Sequence, residues 1–326
     1  MRHFCNFLCG RTQSVRVNGV TSKPKPVTSG VPQGSILGPL LFLLFTDDID
    51  SVIQAGAQVL KFADDMKVYY VYNPLSASHE HPLQLSLNNV FAWSADNLLP
   101  LNFKKCSIVQ FGKHNPRSSY YLNNTCLDAH SSERDLGVVI DDKLSFEQHI
   151  SCMVRRARRL TGLMFHTFSS RSASVIMPIF NSCIRPVLEY ASPVWNTSAV
   201  GHIKSIESVQ RNVTKRLAGF ASLSYADRLA ALKQPSLSTR REYFDLVQMY
   251  KYVHGQSNIR CCTNLSFVRN HTRGHAFRLR KPRFRLNIRK SVFLLRTVNC
   301  WNALPTAVVN KKSVMSFKYH LRRYVQ

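Results

Sequence analysis

Acidic residues are scarce in this 326-residue chain: 18 aspartates and glutamates stand against 44 lysines and arginines, a formal net charge of +26. Residues 2–28 hold no acid, and none follows Asp245. Such a one-sided charge points to a polyanionic partner, most often nucleic acid. Long apolar runs are also lacking. The longest, 36–45, is broken by Gly38 and Pro39, whereas a membrane span needs about 20 residues. No basic stretch leading into an apolar core opens the chain, so no secretory leader is expected. The cysteines lack paired spacing. Nine of them, odd in number and scattered, read as reduced thiols of an intracellular protein, nuclear or cytoplasmic. Fixed-period repeats are absent as well.

What is present is a folding composition, 44% hydrophobic and 10% aromatic, over a length fit for about two domains of ~150 residues. Residues 14–17 alternate and suggest a strand. Residues 28–38 form a Gly/Pro/Ser loop, and 39–53 read as a helix with Pro39 in its first turn. Alternation over 58–72 around Ala63-Asp64-Asp65 reads as a hairpin. A helix is expected over 83–97 and strands over 106–112, within 115–128 and over 136–140. From Phe146 the pattern is mainly helical. The apolar positions Ile150, Met153, Val154, Ala157, Leu160 and Met164 set Arg155, Arg156, Arg158 and Arg159 on outward faces of one amphipathic helix. Residues 236–254 form another. The change near residue 145 marks the expected domain boundary.

The chemistry-bearing candidates are few. Asp64 and Asp65 at a hairpin tip repel each other unless a cation offsets them. A divalent metal fits, since magnesium prefers carboxylate oxygens; a plain turn is the alternative. The glycines of Ser29-Gly30-Val31-Pro32-Gln33-Gly34 allow close backbone approach to a ligand, and the helix that follows favours phosphate. In the last stretch Arg278, Arg280, Lys281, Arg283 and Arg285 interleave with Phe277, Leu279, Phe284 and Leu286. Basic residues neutralise phosphates and rings stack on bases, although a solvated face or a nuclear-import signal uses the same residues. Cys261, Cys262, His271 and His275 invite a zinc reading, but adjacent cysteines lack the usual gap. Asp47, Asp48 and Asp50 read as the solvated end of a helix. Trp93, Trp195 and Trp301 read as core anchors.

Taken together and in order, these segments resemble the non-LTR (LINE-type) reverse transcriptases, especially the Jockey/CR1-like clades. The run from Ser29 through Gly-Val-Pro-Gln-Gly-Ser-Ile-Leu-Gly-Pro-Leu-Leu-Phe is similar to motif B. Phe62-Ala63-Asp64-Asp65 resembles motif C, and Leu99-Pro100-Leu101-Asn102-Phe103-Lys104-Lys105-Cys106 resembles motif D. Leu136-Gly137-Val138 with Asp141 to Ile150, Arg240-Arg241-Glu242-Tyr243-Phe244, Trp301-Asn302-Ala303-Leu304-Pro305 and Ser316-Phe317-Lys318 resemble regions further along the same proteins.

The resemblance implies an α+β fold: a partial right-hand polymerase palm (1–145, with post-palm strands), a mainly helical thumb (146–235) and a basic C-terminal region (236–326). It implies RNA-directed DNA polymerisation by two magnesium ions that clamp the attacking 3′ hydroxyl and the triphosphate. Asp64 is then a metal-binding catalytic carboxylate and Asp65 the second acid. Phe62 and Ala63 pack under the primer end. Gly30, Pro32, Gln33 and Gly34 shape the pocket for deoxynucleotide and template. Lys105 approaches the phosphates and can protonate pyrophosphate. The arginines at 155, 156, 158 and 159 grip the duplex backbone. Expected partners are an RNA template, a DNA primer or target and deoxynucleoside triphosphates, with no membrane.

One departure stands out. The family's motif A, with another metal-binding aspartate, lies upstream of motif B, and Arg11-Thr12-Gln13 matches the segment that follows it. The expectation is that this polypeptide alone does not polymerise DNA, and that its palm leaves apolar surface uncovered. The alternative is a nucleic-acid-binding retrotransposon relic without catalysis.

Overall fold

Short turns built from residues that tolerate positive φ shape the beginning of the chain. In the computed structural model, which describes residues 2–72, 81–257, 265–268 and 274–325, two units form: Met1–His130 and Ser131–Gln326.

The first unit runs α1 (Arg2–Leu8), β1 (Thr12–Gln13), β2 (Arg16–Val17), β3 (Val20–Thr21), β4 (Lys25–Pro26), α2 (Leu37–Phe45), β5 (Ala57–Phe62), β6 (Asp65–Tyr70), α3 (Pro82–Asp96), β7 (Ser107–Val109), β8 (Tyr121–Leu122), β9 (Thr125–Cys126) and β10 (Asp128–His130). Among the described residues every sheet has two strands. β2–β3 is an antiparallel ribbon nested inside β1–β4, and β7 pairs with β10 in parallel. The expected hairpin is β5–β6, in register from Ala57 opposite Tyr70 to Phe62 opposite Asp65. The strand expected over 106–112 is confined to Ser107–Val109.

The helix expected over 39–53 stops at Phe45, and Asp47–Val52 form a 3-10 turn instead. The reason is local. Thr46 turns its hydroxyl back onto the Phe42 carbonyl at 3.1 Å, and the Lys61 ammonium takes the Thr46 and Asp47 carbonyl oxygens at 3.0 and 3.3 Å. These contacts hold the chain where α2 gives way to the 3-10 turn. The core here is small: Ile49, Val90 and Trp93, with Met66, Leu99 and Leu101 around them. Ile36, Leu40, Leu43, Leu44 and Phe45 are exposed along α2, as are Leu60 and Phe62 on β5. The expected uncovered apolar surface is present.

The second unit runs β11 (Ser132–Asp135), β12 (Val138–Asp141), α4 (Glu147–Thr167), α5 (Ala173–Ile179), α6 (Arg185–Glu189), α7 (Ser192–Trp195), α8 (Val200–Lys215), α9 (Tyr225–Ala231), α10 (Leu237–Val253), α11 (Asn287–Ser291), α12 (Phe293–Asn302), α13 (Thr306–Val309) and α14 (Val314–Val325). The antiparallel pair β11–β12 turns at Leu136-Gly137, both at positive φ, and Gly137 lies 3.3 Å (by its would-be Cβ) from the Tyr190 ring. A side chain there would press on the ring and strain the turn. Asp141 then gathers the turn that leads into α4. Burial alone would raise its carboxyl, but bonds from Ser145, Phe146 and Lys143 hold it below the ordinary value.

Two cores fill this unit. One joins α4, α5, α6, α7 and α8 around Ala157, Phe180, Leu188, Trp195 and Val213. The other joins α10, α12 and α14 around Tyr250, Trp301 and Phe317, with Tyr250 stacked on Phe317 at 4.3 Å. Two buried carboxylates are paired across these helices. Glu207 of α8 accepts from the amides of Leu237 and Ser238 at 3.1 and 3.2 Å, which caps α10. Asp245 accepts from Arg296 at 2.8 and 3.0 Å and from Asn196 at 2.9 Å, tying α10 to α12 and to the end of α7.

Candidate active site and nucleic-acid interface

The acidic hairpin is built by a tight two-residue turn. Ala63 takes φ of 52° at the first central position, and Phe62 and Asp65 close the pair. Such a turn matches the twist of the strands it joins. Asp64 sits in the turn and Asp65 opens β6, and both are exposed. Neither carboxylate has a hydrogen-bond or ion-pair partner among the described residues. Phe62 is 63% exposed beside them. The structure thus brings Phe62, Ala63, Asp64 and Asp65 together at one tip.

The tip is anchored from below. Lys61 forms an ion pair with Asp50 at 2.7 Å besides its two carbonyl contacts at the end of α2. Asp48 accepts from the Trp93 indole at 3.2 Å. Two of the three clustered aspartates therefore have structural partners.

The Gly-rich loop enters α2. Gly30 and Gly34 have φ of 74° and 80°, with open space where a Cβ would stand. Pro32 is half-buried, and Gln33 faces solvent. The Ser35 hydroxyl donates to the Pro32 carbonyl at 2.7 Å and accepts from the Gly38 amide at 3.0 Å. Gly38 is enclosed: a Cβ would lie 2.9 Å from the Pro32 oxygen. Arg11 holds the loop from the other side, donating to the carbonyls of Gly30 at 2.7 Å and Leu8 at 2.8 Å. Arg11, Gly38 and Lys61 were not among the candidate site residues. Lys61 carried a usable signal, since it is the lone charge inside an otherwise apolar or neutral strand, β5.

Lys105 lies exposed at the end of a 3-10 turn, Phe103–Lys105. Among the described residues no ion pair joins it to Asp64 or Asp65.

In the second unit Arg155, Arg156, Arg158 and Arg159 all project from α4 into solvent. The neighbouring α8 adds exposed Lys204, Arg211, Lys215 and, just past its end, Arg216. The acids of the two helices are Glu147 at the start of α4 and the buried Glu207. An open hollow of about 390 Å³ between them is lined by Arg158, Gly162, Ser208, Asn212 and Arg216. Arg158 donates to the Ser208 hydroxyl at 3.0 Å, and Arg216 lies 3.8 Å over the Phe165 ring. The α8 contribution escaped the sequence reading because its basic residues are dispersed rather than clustered.

Toward the C-terminus, Arg280, Lys281 and Arg283 line a second hollow of about 500 Å³ with Ser266 and Pro282. Arg278 packs over Gly274, Arg285 is exposed and Lys281 lies 5.8 Å from the Phe284 ring. Cys261, Cys262 and His271 fall outside the described residues. His275 is buried, with Nε2 3.1 Å from the Trp301 carbonyl oxygen and its ring against the indole. Among the described residues no three potential ligands gather as a metal site, and no helix is long and apolar enough to cross a membrane.

Residues 2–145 match the family model described as reverse transcriptase (RNA-dependent DNA polymerase). The chain is 29% identical over 224 residues to the RNA-directed DNA polymerase from mobile element jockey of Drosophila melanogaster, covering 66% of this chain and 24% of that protein. It is 27% identical over 226 residues to the probable RNA-directed DNA polymerase from transposon X-element of the same species, with 66% and 24% covered. The probable RNA-directed DNA polymerase from transposon BS, also of D. melanogaster, is 26% identical over 224 residues. The chain spans about a quarter of the length of these relatives. No solved structure matches it. The matched stretch is a reverse transcriptase domain of 144 residues, under half of the chain. The relatives named above are RNA-directed DNA polymerases of mobile elements, and the likeness is to the LINE-type, non-LTR retrotransposon kind. A reverse transcriptase domain implies a palm–thumb fold, and the chain is a mix of helices and strands.

Proposed function

We propose that this chain supplies the acidic hairpin, nucleotide loop and duplex-gripping helices of an RNA-directed DNA polymerase. The observation that carries this reading is the pair Asp64 and Asp65, unpartnered among the described residues at a tip tied to the helix that follows the Gly-rich loop. Two free carboxylates in contact with solvent suit a hard divalent cation, because magnesium keeps several waters and binds through one or two carboxylates plus substrate phosphates. Reverse transcriptases generally use Mg2+, which when bound supplies charge stabilisation at the phosphates. Asp64 is the leading ligand and Asp65 its support. Phe62 and Ala63 present a surface for the primer end. The open backbone at Gly30 and Gly34, with Pro32 and Gln33 between, leaves room for the incoming deoxynucleotide and template. Lys105 is free to swing toward the leaving phosphates and deliver a proton.

The basic α4–α8 face, with Arg155, Arg156, Arg158 and Arg159, takes the backbone of the template–primer duplex. It offers charge without base-reading geometry. Arg278, Arg280, Lys281, Arg283 and Arg285 extend the contact to RNA or target DNA. In these terms the palm part is 1–145, the thumb 146–235 and the basic region 236–326. A second reading, nucleic-acid binding without catalysis, draws on the same basic face, which needs no metal.

Binding of Mn2+ to the purified chain, followed by electron paramagnetic resonance, tests the first reading. Asp64→Ala is expected to weaken it at least tenfold. Unchanged binding in that variant refutes the metal site and leaves the second reading. Primer extension on an RNA template that disappears in Asp64→Ala would establish the activity itself.

A further inference from the structure

We infer that Lys61 is a positioning residue that fixes the acidic tip against the end of α2; this rests on the metal-site reading above. β5 alternates so that Val59 and Lys61 face partly inward while Leu60 and Phe62 face out. An ammonium in an inward strand position is costly unless its protons are matched. Here all three have acceptors: the Thr46 carbonyl at 3.0 Å, the Asp47 carbonyl at 3.3 Å and the Asp50 carboxylate at 2.7 Å. An ammonium carries three donors and no acceptor, so the set is complete. Thr46 is the C-cap of α2, the negative end of its dipole, which favours a cation, and Asp47 opens the 3-10 turn that follows.

The placement gives this contact leverage. Lys61 stands opposite Met66, one residue pair below the Phe62–Asp65 pair that closes the turn. α2 begins right after the loop that holds Gly30 and Gly34. One side chain therefore ties the strand that leads into the acidic turn to the end of the helix that follows the loop. The outward face of the hairpin offers no comparable support, since Leu60 and Phe62 are exposed there. Small displacements of such groups lower binding and catalysis.

Charge and position predict opposite signs, and this makes the idea testable. Removing a cation near a metal site should by itself tighten binding of a divalent ion. If Lys61 positions the carboxylates, its removal weakens binding. The full chain is titrated with Mn2+ alone, with electron paramagnetic resonance as readout. Lys61→Met is expected to bind three- to tenfold more weakly, and Lys61→Arg, which keeps charge and reach, within about twofold of the parent. Amide exchange at Leu60 and Lys67, a hydrogen-bonded pair of the ladder, reports whether the hairpin survives. Should Lys61→Met unfold it, Lys61→Gln, which keeps an amide donor for the α2 carbonyls, replaces it with a smaller expected loss. Equal or tighter binding in the neutral variant with a folded hairpin overturns the inference. Loss of any effect in Asp64→Ala would instead overturn the metal-site reading beneath it.

Discussion

The two units of this chain are stabilised differently. The second buries Trp195, Trp301, Phe180 and Phe317 completely and pairs its internal charges. The first has a core of Ile49, Val90 and Trp93, while an apolar helix and one face of its hairpin stay in solvent. Apolar area removed from water contributes ~25 cal/mol per Å², so the second unit draws far more stability from packing. The first leans on specific polar contacts, such as Arg11 on the loop and Lys61 at the end of α2. The residues proposed to meet metal and nucleotide sit on the less-covered unit. Their geometry depends on a few hydrogen bonds rather than on close packing.

The largest expected effect tests this contrast directly. Trp195→Ala removes a fully buried ring whose indole donates to the Tyr190 carbonyl at 2.7 Å. Truncations of this kind cost about 3–5 kcal/mol. Phe62→Ala removes a ring that is 63% exposed and should change stability by less than ~0.5 kcal/mol. Denaturant unfolding with amide exchange assigned to each unit separates the two. Comparable losses in both would mean that the first unit is covered in solution.

A pH effect of intermediate size follows from His149. Burial first, and the nearby charge of Arg134 second, lower its pKa. Its Nδ1 accepts from the Val139 amide at 3.3 Å and its ring lies 5.6 Å from that of Trp195, an arrangement that requires the neutral ring. With the folded pKa below the unfolded value near ~6.5, the contribution is complete above that value. It is lost as pH falls toward and through the folded pKa. His254, lowered chiefly by burial, acts in the same direction. Melting of the second unit should therefore drop as pH falls below about 6.5, and His149→Gln should flatten the drop. A slope unchanged in that variant would assign the acid sensitivity elsewhere.

Several features were readable from residue order because they depend on local chemistry. The alternation over 58–72 and the Asp-Asp tip yielded β5–β6, and the apolar spacing from Ile150 to Met164 yielded α4 with its arginines outward. Ser236 caps α10 through the Thr239 amide, as expected of a serine before an amphipathic run. The resemblance at Trp301 and Phe317 is explained by packing, since both are wholly buried. What stayed hidden depends on tertiary neighbours. Which face of β5 turns inward cannot be told from Leu60-Lys61-Phe62, where either choice hides or exposes something costly. The end of α2 at Phe45 is decided by Thr46 and by a lysine in the next strand. Gly38 matters because of the Pro32 carbonyl, and the basic face of α8 because α4 lies beside it.

The smallest effect sharpens the comparison most, because stability and function should part. Ala63 holds φ of 52°, with solvent rather than packing around it. The left-handed region costs a residue with Cβ roughly 1–2 kcal/mol, whereas glycine adopts it freely but adds about 0.5–1 kcal/mol of unfolded-chain entropy to overcome. Ala63→Gly should then stabilise the hairpin by about 0.5 kcal/mol, read as slower amide exchange across β5–β6. The same change frees the turn that carries Asp64, so Mn2+ affinity should fall or stay level even as the strands become more protected. In the second unit, a mutation that stabilises a helix should leave its contacts intact, because side-chain packing holds them on every side. If Ala63→Gly instead tightened both the hairpin and its metal, the acidic tip would be limited by backbone strain, and positioning by Lys61 would be secondary.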